Sequence, residues 1–163
     1  MKAATPDFND ILNRYRPPLQ EYEELYRRLL SYQEQRTASI VAEQLSQLKY
    51  KVYPGIGGYG VAGVLRNGPG KTVLLRADMD ALPVRERTGL PYASQKTMKD
   101  KDSDLQPVMH ACGHDMHVAM LLACSNLSSG RSVWSDGLIC LSQPREEAGD
   151  GAQAMIDDGL YDK

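Results

Sequence analysis

The run "MHVAMLLACSNL" (116–127) constrains the fold more than any other part of the chain, because it is apolar almost all round. A helix of that kind is covered on several sides in a water-soluble protein. It falls short of the roughly 18 apolar residues that a membrane span requires, as does every other window. Its covering layers are expected to be the short apolar runs "TVLLRAD" and "GLICLSQP", which read as strands near Thr72–Ala77 and Leu138–Ser142. Buried strands alternating with helices predict an α/β layer architecture. With 163 residues, 42% of them hydrophobic and 25% charged, the chain can bury a single core, so one domain or part of one is expected.

Other elements follow from local pattern. Pro17-Pro18 precedes "LQEYEELYRRLL", with Leu19, Tyr22, Leu25, Tyr26, Leu29 and Leu30 at helical spacing. A second amphipathic helix fits "TASIVAEQLSQLKY", turning Ile40, Val41, Leu45 and Leu48 inward. A further strand near Val61–Arg66 is joined to Thr72–Ala77 by a turn at Asn67-Gly68-Pro69-Gly70. Gly55-Ile56-Gly57-Gly58 lacks a P-loop lysine and opens no helix, so it reads as a plain turn. The polar segment "ASQKTMKDKDSDLQP" reads as a solvated loop, Cys124 as a small core residue and Cys140 as part of a buried strand. "GDGAQAMIDDGL" reads as a glycine turn, a short helix and a stop at Gly159.

All three histidines of the chain fall within "MHACGHDMH" (109–117), beside Cys112 and Asp115. Asp78 and Asp80 follow the Thr72–Ala77 strand, and Glu146-Glu147 follow the Leu138–Ser142 strand, so both acidic pairs stand at strand carboxyl ends, where open α/β sheets bind ligands. Thiolate, imidazole and carboxylate together suit zinc or another first-row divalent ion. The absence of paired C-x-x-C motifs favours an open catalytic site over a closed structural one. Taken singly, Cys112 would more often be a core thiol and the glutamate pair a solvated turn; it is their combination that favours a metal. A net charge of −2 and a pI near 5.9 argue against a nucleic-acid partner, and no membrane contact is expected. Three cysteines without a secretory signal fit a reducing, cytoplasmic setting.

The segments "LLRADMDALPVRERTGLPYAS", "MHACGHDMH" and "QPREEAGDGAQAMIDDGL" resemble, in the same order, the metal-dependent amidohydrolases of the peptidase M20 family, in the branch of hippurate, N-acyl-amino-acid and auxin-conjugate hydrolases. The resemblance runs from about Leu25 to the end. It implies a zinc-peptidase-like three-layer α/β/α catalytic domain with a two-metal centre of manganese, zinc, nickel or cobalt. It further implies a small-molecule N-acyl amino acid as substrate. By position it makes Cys112, His114 and Glu147 metal ligands and Glu146 the general base. Asp80 becomes the aspartate that orients a metal-binding histidine, and Asp115 a capping acid, while His110 and His117 either support the pocket or act directly.

The chain also departs from the family pattern. Family members are usually more than twice as long, so residues 1–163 are expected to form the N-terminal part of the catalytic domain, without the dimerisation domain or the returning segment that brings further histidines. Exposed apolar surface and homo-oligomer formation are expected to follow, as is low or absent activity of this chain alone. The alternative is a truncated, catalytically silent metal-binding or interaction protein. Arg145 stands where the family has a small or neutral residue, and a cation there is expected to weaken Glu146 as a base.

Overall fold

The computed structural model of the protein describes residues 34–99, 104–129 and 136–163. In chain order the elements are α1 (Glu34–Gln47), β1 (Lys51–Ile56), β2 (Gly60–Arg66), β3 (Thr72–Asp78), β4 (Thr97–Lys99), β5 (Leu105–Pro107), α2 (His114–Ser129), β6 (Gly137–Gln143) and α3 (Gly151–Asp157). A 3-10 turn, Leu160–Asp162, follows. The helix expected at 19–30 lies outside the described residues.

The main sheet has the order β1-β2-β6-β3. β2 runs antiparallel to β1 and β6, and β3 runs parallel to β6. The Asn67–Gly70 turn therefore connects two strands that are not paired, because β6 lies between them. Its residues Leu138 and Ile139 match Leu65 and Val64 on one side and Val73 and Leu74 on the other. A central strand flanked on both edges and both faces is apolar along its whole length, and β6 is buried at all positions but Ile139. β1 was not evident in the sequence because Pro54 and Gly55 interrupt it. Proline is tolerated there because β1 is an edge strand among the described residues, and its register shifts between Pro54 and Ile56. Gly57 and Gly58, both at positive φ, make the plain turn into β2.

Three layers result. Val41 and Leu45 of α1 and Val118, Leu121 and Leu122 of α2 pack with Val61, Ala77, Leu138 and Cys140 on one face of the sheet. Met155 of α3 packs with Ile56, Ala62 and Leu141 on the other. Beneath α2, the Tyr50 hydroxyl donates to the Ser125 carbonyl (3.2 Å), and Ser125 Oγ lies 3.0 Å from Cys140 Sγ. Burial pushes the Cys140 thiol above its ordinary range, so this cysteine is an unreactive core group.

Two expectations need correcting. α2 is not covered all round: Met116 and Met120 are each more than half exposed, Leu127 is exposed, and Cys124 lies on the surface. Val73 and Leu74 of β3 are also exposed, and β3 is the last strand of the sheet among the described residues. An apolar pattern shows what a helix can bury, and the described neighbours cover only one side of it. Second, the loop after Pro91 is not wholly irregular, because β4 and β5 pair antiparallel within it. Only three residues of each strand take part, too few for a period-two pattern to stand out.

Candidate metal and acid–base site

The parallel pairing of β3 with β6 sets Asp78 opposite Gln143, so the acids after both strands share one rim of the sheet. The histidine stretch is drawn to that rim by paired backbone bonds, Leu82 N–H to Met109 O (2.9 Å) and Met109 N–H to Leu82 O (3.0 Å). Gly113 then turns the chain into α2 at φ +79°, a backbone conformation that favours glycine. The turn leaves Cys112 exposed and His114 buried.

His114 is the centre of the arrangement. Its Nδ1 donates to Asp80 Oδ1 at 3.0 Å, which directs Nε2 towards three other carboxylates. Nε2 lies 3.7 Å from Asp78 Oδ1, 3.7 Å from Glu146 Oε2 and 3.8 Å from Glu147 Oε1. The second oxygen of Asp80 accepts the Glu147 N–H at 2.8 Å, so one buried carboxylate joins the α2 terminus to the glutamate turn. His117 stacks on His114 with ring centroids 5.7 Å apart, and its Nδ1 donates to Asp78 Oδ1 at 2.5 Å. Asp78 in turn accepts from Arg76, whose Nε donates to Gln143. Burial alone would raise the Asp78 carboxyl, but the His117 hydrogen bond and the His114 and Arg76 charges bring it below its usual range.

The residues singled out from sequence take distinct places. Glu146, with its side chain 42% exposed, is the more open of the acid pair, while Glu147 is deeper at 26%. Cys112 Sγ hydrogen-bonds to Glu147, and that bond, followed by desolvation and the charges of Glu147, Glu146 and Asp80, pushes the thiol above its ordinary range. His110 Nδ1 meets the Asp80 carbonyl at 3.0 Å from below. Asp115 accepts the Met116 N–H at 2.8 Å in the first turn of α2. The Arg145 guanidinium does not turn to the acid pair but meets Asp150 at 3.4 Å. Asp78 and His117 join the cluster more closely than their sequence context suggested. Their positions, the last residue of a strand and one helical turn past His114, were the available signal.

This donor set fits a divalent ion. Among the described residues, two groups place their donor atoms within 4.8 Å of one another: Asp78, His114 and His117, and His114, Glu146 and Glu147. An imidazole fixed at Nδ1 by a carboxylate, with Nε2 turned to anionic oxygens, is the outer-sphere arrangement that prepares a histidine for metal.

Residues 74–163 match the family model of peptidase family M20/M25/M40, more than half of the chain. The chain belongs to this family. It is 44% identical over 135 residues to the hippurate hydrolase of Campylobacter jejuni, covering 82% of this chain and 33% of that protein. It is 41% identical over 165 aligned residues to thermostable carboxypeptidase 1 of Saccharolobus solfataricus, covering 98% of this chain and 38% of that one. Among solved structures, the YXEP protein of Bacillus subtilis, a dinuclear metal-binding peptidase of the M20 family, superposes with a TM-score of 0.72 at 28% identity, over 86% of this chain and 39% of that one. The M20 chain thus spans between a third and two fifths of the length of these relatives. None of its described helices is long and apolar enough to cross a membrane.

Proposed function

We propose that the site belongs to a metal-dependent amidohydrolase acting on N-acyl amino acids. The observation that carries this reading is the buried imidazole of His114, clamped at Nδ1 by Asp80 and facing Asp78, Glu146 and Glu147 at Nε2. The activities named for the relatives share a bond type: hippurate and a peptide C-terminus both present an amide whose nitrogen belongs to an amino acid with a free carboxylate. An N-acyl amino acid has that same group.

His114 and Glu147 would hold divalent metal, with Cys112 as a further ligand. Asp78 and His117 flank the same nitrogen. Two ions of manganese, zinc, nickel or cobalt would supply Lewis acidity, lowering the pKa of water and polarising the scissile carbonyl. Glu146 is the more exposed carboxylate of the pair, placed to take a proton from the attacking water and later return it to the leaving nitrogen. Glu147 is held in place by the hydrogen bond that its backbone N–H donates to Asp80 Oδ2. The anionic surroundings of Cys112 push its thiol up, so ligation as thiolate would release a proton, and affinity would fall as pH is lowered.

The test is release of free amine from hippurate and N-acetyl amino acids in the presence of manganese, zinc or cobalt, for wild type and Glu146→Gln. Turnover by this chain alone is expected to be low, and the reading predicts that the substitution lowers it further by at least the roughly 100-fold typical of a lost acid–base group, with metal affinity nearly unchanged. Turnover that survives Glu146→Gln would remove Glu146 as the base. Metal uptake without turnover in wild type would favour a silent metal-binding protein.

A further inference from the structure

We propose that Glu34, at the start of α1, is a positioning residue for the acid pair, fixing the turn that carries Glu146 and Glu147. The inference rests on the functional reading above. Glu34 Oε1 accepts the backbone N–H of Arg145 at 2.8 Å, across 111 residues of sequence. Arg145 has φ +51°, the left-handed region that non-glycine residues rarely adopt. Pro144 before it has no N–H to anchor the strand end. The Arg145 carbonyl accepts from Gly151 N–H (3.3 Å), and the Glu147 amide is held by Asp80. The backbone on either side of Glu146 is therefore gripped by two carboxylates, Glu34 before it and Asp80 after it.

A carboxylate in the first turn of a helix has an ordinary explanation, attraction to the helix dipole. The Glu34 side chain instead reaches out of its helix to an amide on another element. It does so in unfavourable surroundings: burial raises its carboxyl above the usual range, the Arg145 N–H lowers it, and the nearby Asp80 charge raises it again. A residue serving only the dipole would be better placed in solvent.

Two substitutions separate reach from charge. Glu34→Gln keeps the length and an acceptor oxygen but loses the charge, whereas Glu34→Asp keeps the charge and is one methylene too short. Amide exchange at Arg145 in the metal-free protein, melting temperature, and manganese or cobalt affinity would be measured for each. The expected result is that Glu34→Asp deprotects the Arg145 amide and weakens metal binding by about 10-fold, the lower end of the range for outer-sphere partners, while Glu34→Gln stays within about 2-fold of wild type on that same scale. A purely structural role would lower melting temperature in both and leave affinity alone, which would overturn the proposal. So would Glu34→Gln failing as badly as Glu34→Asp, since that would assign the effect to charge. If wild type takes up no ion, the functional reading itself fails and this inference with it; uptake by wild type that is unaltered in Glu34→Asp removes Glu34 alone.

Discussion

Replacement of His114 by alanine is expected to weaken binding of zinc, manganese or cobalt by more than about 100-fold, beyond the roughly 10–100-fold typical of outer-sphere changes. His114 belongs to both donor groups, so no alternative set of the described ligands survives its loss. Asp80→Asn tests the support of that histidine. Asparagine offers one acceptor oxygen where Asp80 uses two, to His114 Nδ1–H and to Glu147 N–H, and its amide hydrogens would oppose whichever donor it does not accept. A loss of roughly 10–100-fold is expected, measured by titration against a competing chelator. Equal affinity in His114→Ala and wild type would place any bound metal elsewhere.

The largest expected effect on stability comes from Gly151→Ala. A Cβ at Gly151 would stand 1.7 Å from the Pro144 carbonyl oxygen and 2.8 Å from its carbon, both backbone atoms that no rotamer change can move. Relief requires α3 to back away from the turn that follows β6. Overpacking usually costs about 1–3 kcal/mol, and an obstruction by backbone belongs at or above the top of that range. At roughly 2–4 °C per kcal/mol for a chain of this size, the melting temperature should fall by about 10 °C. Metal affinity should fall too, because Glu146 and Glu147 lie on the turn that α3 would press against. Thermal unfolding that matches wild type would show that the close approach is not maintained in solution.

Residue patterns made much of this architecture legible, and the exceptions have physical causes. β6 and β3 stand out by their apolar stretches at 138–141 and 73–75, and the carboxylates after them share one rim because the two strands run parallel. Strand order is a different matter: whether β2 pairs with β3 or with β6 depends on contacts distant in sequence, and the glycine-rich 67–70 turn is compatible with both. β1 is obscured by Pro54, which only an edge position accommodates. Cys124 shows the limit of an apolar helix pattern, since residues of the same polarity occupy its covered and open faces. In the site, the gathering of His114 and the two glutamates at one rim could be read from their places beside strand and helix ends, whereas their separate roles came only from the family resemblance. The dual use of Asp80, the Asp78–His117 pair and the grip of Glu34 on Arg145 could not be read, because each joins residues that share no local spacing.

The central claim is that three separated stretches, around Asp80, Cys112–His114 and Glu146–Glu147, build one metal centre around His114. X-ray absorption at the zinc edge of the zinc-loaded protein tests it most directly. The account predicts a first shell dominated by nitrogen and oxygen at about 2.0–2.2 Å, with one sulfur near 2.3 Å that disappears in Cys112→Ser, and no ordered zinc in His114→Ala. A shell of several sulfurs, or a zinc spectrum unchanged by His114→Ala, would contradict it.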